Sequence, residues 1–311
     1  MNLSFDPPAL VVHCDWGKTF EKRWMARAVY SNGKYCAYAP EPVGDLTTLM
    51  DRTRTSRVSQ DAVLLGFDFP IGFPTKYASA AGIVSFLEFL KSLHSKDEFY
   101  SVCLHENEIT HRRPFYPFNF TPKGSKKREH LSHKLGLDNF DDLLRRCEWA
   151  QSRIPAAGAL FWTLGAKAPG RGAIIGWRDV IGPALQKEDV KLWPFDGSLG
   201  QLLHPGTIVI AETYPTQYHQ WIFDHQVVGK RRSEVRRGEG RHLLGWAESK
   251  SVALDPELHN AIQYGFSRGG DDAFDALIGL FGMIEVALGS RPEGGHPNSK
   301  LTSIEGWILG R

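Results

Sequence analysis

The sequence predicts an α/β fold in which a mixed sheet of five strands is flanked by helices. Three closely spaced strands near the start of the chain include a hairpin with Asn32 and Gly33 at its turn, a strong local signal for antiparallel pairing. Two later strands are continuous apolar runs, as expected of strands buried on both faces. Hairpin-linked strands followed by helix-connected strands favour one mixed sheet covered by helices.

The five predicted strands are short runs of apolar and β-branched residues. They are 9–15 (ALVVHCD), 24–30 (WMARAVY), 34–39 (KYCAYA), 62–69 (AVLLGFDF) and 207–212 (TIVIAE). Helical spacing of apolar residues predicts helices at 44–53, 78–95, 138–152, 176–185, 240–250, 256–265 and 271–288. We expect a single domain over 1–290, with a large insertion at about 75–205 between the fourth and fifth strands, and a loosely ordered tail over 291–311.

Composition excludes several classes of protein. The 311 residues are 42% hydrophobic and 23% charged, which is typical of a globular chain. The four cysteines form no CxxC pair and no zinc-ligand spacing. The start of the chain lacks the pattern of a signal peptide, and no apolar stretch approaches the roughly 20 residues that a membrane span needs. The sequence therefore predicts a cytoplasmic protein without a membrane partner and leaves its oligomeric state open.

Acidic side chains stand at the ends of three predicted strands and on the last predicted helix. Asp15, Asp68 and Glu212 end or nearly end apolar strands, and functional groups of α/β sheets gather at strand ends. Asp272 and Asp275 are three positions apart, so both lie on one face of the last helix. We therefore expect these five acids, which are distant in sequence, to meet in space.

Carboxylates gathered in this way need a positive partner. Two carboxylates about 4 Å apart repel each other by roughly 4 kcal/mol at a surface-like dielectric, and basic side chains, shared protons or a bound cation relieve that repulsion. All-oxygen ligands suit Mg²⁺ or Mn²⁺, and pairs of such ions promote phosphodiester cleavage. The sequence predicts that the five acids bind Mg²⁺ or Mn²⁺ and are catalytic.

A structural role would also explain some of these acids. An aspartate after a strand is often a turn former, and Asp271 and Asp272 would suit the N-terminus of the last helix as caps. Capping does not explain Asp275, which lies inside an apolar helix, or Asp68, which stands between two phenylalanines. These two positions therefore favour the metal-site interpretation most.

Two clusters of basic residues are candidates for binding phosphate. Arg112 and Arg113 precede the aromatic segment FYPFNF, Lys126 and Lys127 follow it, and the second cluster is Lys230, Arg231 and Arg232. Cations bind phosphates, and aromatic rings stack on unpaired bases; a solvated charged surface is the alternative. The formal net charge of +2 argues against a long nonspecific groove, so a short or nucleotide-sized substrate fits as well as nucleic acid.

Several segments resemble the signature blocks of the DUF four-twenty-nine family, whose members are predicted RNase H-like nucleases. They are FDFPIGFP at 67–74, FWTLGAKAPGRGAIIGWRDV at 161–180, ETYP at 212–215 and DDAFDALIGL at 271–280. The first and last blocks are also similar to Holliday-junction resolvases of the RNase H superfamily. The resemblance covers about residues 10 to 285 and implies an RNase H-like sheet.

The resemblance also implies roles for particular acids. Asp15 matches the acid of the first strand, Asp68 that of the fourth, and Asp272 with Asp275 the DxxD pair of the last helix. Glu212 matches the ExxP block, as a further metal ligand or substrate contact. The first-strand block HCDWGKT departs from the family, which more often has a small residue and a glycine around its aspartate.

Taken together, these patterns predict a metal-dependent nuclease that hydrolyses phosphodiester bonds of RNA, DNA or a nucleotide. Two alternatives stay open. DWGKT at 15–19 also fits a phosphate-binding turn of the actin and sugar-kinase fold, which would make the chain an ATP-binding phosphotransferase. The Gly-rich stretch GAKAPGRG lacks the GK[ST] ending of a Walker A loop. The second alternative is a catalytically inactive module that binds nucleic acid.

Overall fold

In the computed structural model, which describes residues 5–55, 61–118, 127–151, 154–165 and 168–311, eight strands form one mixed sheet. The strands are β1 Leu10–Trp16, β2 Arg23–Ser31, β3 Lys34–Ala37, β4 Glu41–Pro42, β5 Val63–Phe67, β6 Val190–Leu192, β7 Ile208–Glu212 and β8 Ala253–Leu254. Their order across the sheet is β6-β7-β5-β1-β2-β3-β8, with β4 paired to β2. The hairpin strands β1, β2 and β3 are antiparallel, whereas β1, β5, β7 and β6 run parallel.

Thirteen α-helices accompany these strands in the described residues. They are α1 Leu49–Thr55, α2 Thr75–Ala80, α3 Phe86–Ser92, α4 Lys127–Lys134, α5 Gly170–Gly176, α6 Gly182–Ala184, α7 Leu199–Leu202, α8 Pro215–Ile222, α9 Ser233–Gly238, α10 Gly240–Ser249, α11 Pro256–Gln263, α12 Gly270–Ala287 and α13 Ser299–Glu305. A π-helical stretch, Trp177–Ile181, joins α5 to α6. No helix in these described ranges is long and apolar enough to cross a bilayer.

The structure confirms the prediction of an α/β fold with a mixed sheet flanked by helices. All five predicted strands are present, but the predicted number was wrong, because β4, β6 and β8 complete a sheet of eight strands. These three strands have two or three residues each. So few residues show no alternation that a sequence pattern can detect. One of them, β6, lies within the segment predicted to be an insertion and pairs in parallel with β7.

The long predicted helix over 78–95 was also wrong, because two short helices, α2 and α3, take its place. Gly82 adopts a φ of 68° just after α2, a left-handed conformation that suits glycine and ends a helix. The second helix, α3, begins after Ser85, whose side chain caps it by accepting a hydrogen bond from the backbone amide of Glu88. The predicted helix over 138–152 is likewise replaced by two short 3₁₀ turns.

The chain forms two compact units. The first consists of Met1–Asp68, Glu188–Gly294 and Ile308–Arg311, and it contains the whole sheet. The second consists of Phe69–Lys187 and Gly295–Trp307. Residues 291–311 are therefore divided between the units, and they include a helix, α13, where the sequence analysis expected only a loosely ordered tail.

The second unit has an aromatic core. The ring of Phe73 contacts those of Phe86, Phe161 and Trp177, with centroids 5.1, 6.1 and 5.6 Å apart. Arg145 is fully buried beside this core, where its guanidinium donates hydrogen bonds to backbone carbonyls and pairs with a buried glutamate. The burial of this charge is offset because its hydrogen bonds replace water.

Candidate active site

Two aspartates meet at one edge of the sheet in the first unit. Strands β1 and β5 run parallel, with Cys14 beside Phe67, and Asp15 and Asp68 each follow that pair by one residue. The backbone amide of Trp16 donates a hydrogen bond of 2.6 Å to Oδ1 of Asp68. The parallel register therefore places both carboxyl groups at the carboxyl ends of neighbouring strands, where ligands of α/β sheets commonly bind.

Helix α12 approaches β1 closely because Gly279 has no side chain. A Cβ atom at this position would lie 2.1 Å from the ring of His13. The buried imidazole donates from Nδ1 to the carbonyl of Ala276 at 3.1 Å, and Nε2 accepts from the hydroxyl of Thr213 at 2.9 Å. Burial lowers the pKa of His13 to about 3, so the ring is neutral and can both donate and accept.

This packing brings Asp272 and Asp275, in the first turns of α12, to the same edge as Asp15 and Asp68. We call these four residues the acidic cluster. Burial, followed by the charges of Asp68 and Asp275, raises the pKa of Asp15 well above its usual value. Burial raises the pKa of Asp68 to about 7 and also raises the pKa values of Asp275 and Asp272. The structure thus brings together four of the five acids that the sequence singled out.

Basic side chains pair with the acids at the start of α12. The ammonium group of Lys230 donates to Oδ2 of Asp275, and that of Lys22 to Oδ2 of Asp272 at 2.7 Å. Burial lowers the pKa of Lys230, but the charges of Asp275, Asp15 and Asp68 outweigh burial and raise it overall. Sequence reasoning assigned Lys230 to substrate phosphate and missed Lys22, for which the sequence offers no signal.

Asp275 has one oxygen with a partner and one without. Its Oδ2 atom receives the ammonium group of Lys230, whereas no donor from the described residues reaches the buried Oδ1 atom. Buried polar atoms are usually hydrogen-bonded, so an orphaned carboxylate oxygen needs an explanation such as a missing water or ion. It points to a binding position inside the acidic cluster.

The acidic cluster fits a divalent cation in chemistry and in charge, although it is not arranged as a finished set of ligands. Carboxylate oxygens are the donors that Mg²⁺ and Mn²⁺ prefer, and a bound cation would offset both the burial and the mutual repulsion of these charges. Within the described residues, however, no three His, Cys, Asp or Glu side chains are placed so as to hold a metal ion together. Side chains would have to move before a cation could bind.

The fifth acid, Glu212, does not join the acidic cluster. In the register of β7 and β5, Glu212 lies opposite Phe67. Phe67 comes one residue before Asp68, so Glu212 and Asp68 are one position out of step. Because side chains alternate between the faces of a sheet, this register turns Glu212 away from the face of Asp15 and Asp68. The next residue, Thr213, is on their face and binds His13. The ETYP block therefore contributes Thr213 next to the acidic cluster, a role that the sequence analysis missed.

The remaining basic candidates lie in several places. Arg231 is 3.9 Å from Asp271, and Arg232 is 3.8 Å from Glu234, both in the first unit. Arg112, Arg113 and Lys127 belong to the second unit, where Arg112 is exposed, Arg113 lies 3.5 Å from Glu108 and Lys127 begins α4. Lys126 lies outside the described residues.

When the chain is compared with models of protein families, with curated proteins and with solved structures, it matches none of them. The resemblance to the DUF four-twenty-nine family therefore rests on its short sequence blocks.

Proposed function

We propose that the chain is a metal-dependent phosphodiesterase of the nuclease class, built on an RNase H-like sheet. The observation that carries this proposal is the gathering of Asp15, Asp68, Asp272 and Asp275 at one sheet edge, with Oδ1 of Asp275 buried and without a partner. Ordinary structural roles do not require four neighbouring carboxyl groups whose burial, together with the charges of the other acids, raises their pKa values.

The topology is compatible with the resemblance that the sequence showed. A central strand, β1, is antiparallel to a hairpin on one side and parallel to β5 on the other. The acids stand on β1, directly after β5 and on a helix that packs over β1 and β2. These are the positions at which the resemblance to RNase H-like nucleases implies the metal ligands.

Each neighbouring group has a definable task in phosphodiester hydrolysis. Asp15, Asp68 and Asp275 would hold Mg²⁺ or Mn²⁺, which when bound supplies positive charge to the phosphate oxygens. The amide of Trp16 fixes the orientation of the Asp68 carboxyl group. Lys22 and Lys230 stand within reach of the same acids and can bind the phosphate of a nucleotide or nucleic acid.

The test measures hydrolysis of bis(p-nitrophenyl) phosphate and of labelled DNA and RNA oligonucleotides with Mg²⁺, Mn²⁺ or EDTA. We expect cleavage with metal and none with EDTA. Asp275→Asn should lower the rate by about tenfold or more, because it weakens a ligand and neutralises its charge. Asp271→Asn, an equal change one turn earlier and outside the acidic cluster, should keep most of the activity. Equal rates with EDTA, or full activity of the Asp275 variant, would exclude the proposal.

A catalytically inactive nucleic-acid-binding module is the second candidate. The contact between Lys230 and Asp275 favours it, because an ammonium group already neutralises an acid that the nuclease would use for metal. Binding of oligonucleotides that persists with EDTA, together with no cleavage under any metal, would support the module and exclude the nuclease.

A further inference from the structure

We propose that Lys230 is a built-in counter-ion of the acidic cluster, which a divalent cation displaces and which then turns to the phosphate of the substrate. This inference rests on the proposed function. It also explains why the described acids do not form a finished metal site, since the ammonium group lies among the carboxyl groups that would hold the metal.

Lys230 is placed differently from an ordinary surface lysine. Its side chain is 27% exposed, and its ammonium group contacts Asp275, whose side chain is 16% exposed. The other lysine of the site, Lys22, is 56% exposed and binds Asp272, nearer the surface. Of these two lysines, Lys230 therefore neutralises the inner part of the acidic cluster.

The backbone at Lys230 is anchored, so that only its side chain need move. Arg236, which is 4% exposed, donates from Nη1 to the carbonyls of Lys230 and Arg231 at 2.6 and 2.9 Å, and from Nε to the carbonyl of Gly265 at 2.8 Å. These bonds hold the segment at the rim of the site. The lysine side chain is a flexible stem of four carbons. Its ammonium group can therefore move from a carboxylate oxygen to a phosphate oxygen while the backbone stays in place.

Electrostatics makes the ammonium group and a divalent cation competitors. Both need the oxygens of Asp275, and two positive groups beside one carboxylate repel each other. If a cation were held by these acids, the released ammonium group would stay near the acidic cluster on its anchored backbone, where it could bind the phosphate of a substrate. Metal and substrate phosphate would consequently bind with positive coupling, because each favours the same position of Lys230.

The first test measures Mn²⁺ affinity by electron paramagnetic resonance of free Mn²⁺, without any substrate. Lys230→Gln is expected to bind Mn²⁺ about tenfold more tightly than the wild type, since the competing charge is gone. Lys230→Arg keeps the charge and should show no gain. Lys250→Gln is the matched control, because Lys250 is 25% exposed and pairs with Glu285 on the same helix, α12, outside the acidic cluster.

The outcomes separate this inference from the proposed function. Tighter binding in Lys230→Gln alone supports the competition. Equal or weaker binding in that variant, with Mn²⁺ bound by the wild type, overturns the competition and leaves the metal site in place. No Mn²⁺ binding by the wild type or any variant overturns both.

A second test uses the unmodified chain and so does not depend on how a variant folds. Brief acetylation with acetic anhydride, read by mass spectrometry, reports how accessible each lysine amine is. Adding Mg²⁺ should raise the acetylation of Lys230 about fivefold or more as the amine leaves Asp275, and Lys250, of nearly equal exposure, should not change. Unchanged labelling of Lys230 at a Mg²⁺ concentration that saturates the site would overturn the displacement.

Discussion

Replacing Asp68 by asparagine is expected to stabilise the folded chain by about 2 kcal/mol at about pH 8 without metal, and to remove the phosphodiester hydrolysis that we propose for it. Burial raises the pKa of Asp68 from 3.8 to about 7, which means that the charged form is disfavoured in the folded state. The full shift corresponds to about 4 kcal/mol, and we halve it because Asp68 is only partly buried and its neighbours can relax. Asparagine keeps the oxygen that accepts from Trp16.

The sign of this effect with pH follows from proton binding. Between about pH 4 and pH 7 the folded wild type holds a proton on Asp68 that the unfolded chain has lost, so its stability falls as the pH rises. The asparagine variant has no carboxyl group at this position, so its stability does not fall with pH for this reason. Urea unfolding should therefore show the variant to be more stable at about pH 8, with the difference closing towards about pH 4.

Asp142→Asn is the control with the opposite expected sign. Its hydrogen bond with Lys76, at 2.8 Å, lowers the pKa of Asp142 below the usual value. The charged form is therefore favoured in the folded state, and the same substitution should destabilise the chain at neutral pH. A loss of stability in both variants at about pH 8 would show that the charged Asp68 carboxylate does not destabilise the folded wild type. A gain at Asp68 is what a functional acid maintained against stability would show.

The sequence predicted the acids of the site better than their surroundings. Asp15 and Asp68 end or nearly end predicted apolar strands, and Asp275 interrupts an apolar helix, so local pattern alone marked them. The convergence of Asp15 and Asp68 follows from parallel strand register, a general property of such sheets. The resemblance to a nuclease family marked the same positions.

The failures concern features that only tertiary structure determines. A one-residue offset in strand register decides the face of Glu212. Strands β5 and β7 are buried at every position, so their sequences show no alternation from which that register could be read. Lys22, at the end of a short 3₁₀ helix, and Lys230, in a turn, reach the acidic cluster from segments that are remote in sequence from α12. His13 reads as one more residue of an apolar strand, although it forms two buried hydrogen bonds that join β1 to α12 and to Thr213.

A methyl group on α12 at position 279 is expected to have the largest effect on folding. Gly279→Ala should destabilise the chain by about 3 kcal/mol, because the added Cβ atom would lie 2.1 Å from the His13 ring. Relieving this overlap requires the helix or the ring to move within a packed core. Gly245→Ala in α10 is the control, since a Cβ atom there meets nothing within 4 Å. Alanine favours helices over glycine, so the control should gain about 0.5–1 kcal/mol. Urea unfolding measures the change in the free energy of unfolding of each variant, which should be a decrease for Gly279→Ala and an increase for Gly245→Ala.

The same substitution connects the core to the acidic cluster. If α12 moves away from β1 to admit the methyl group, Asp275 moves away from Asp15, and Mn²⁺ affinity should fall even in the fraction of chain that stays folded. Removing the ring in the double variant His13→Ala/Gly279→Ala makes room for the methyl group. The cost of the pair should then be smaller than the sum of the single costs, by about 1 kcal/mol or more. Additive costs would mean that His13 does not set the spacing of strand and helix. In that case the position of Asp275 would have to depend on other contacts of α12, such as those with β2 and α8.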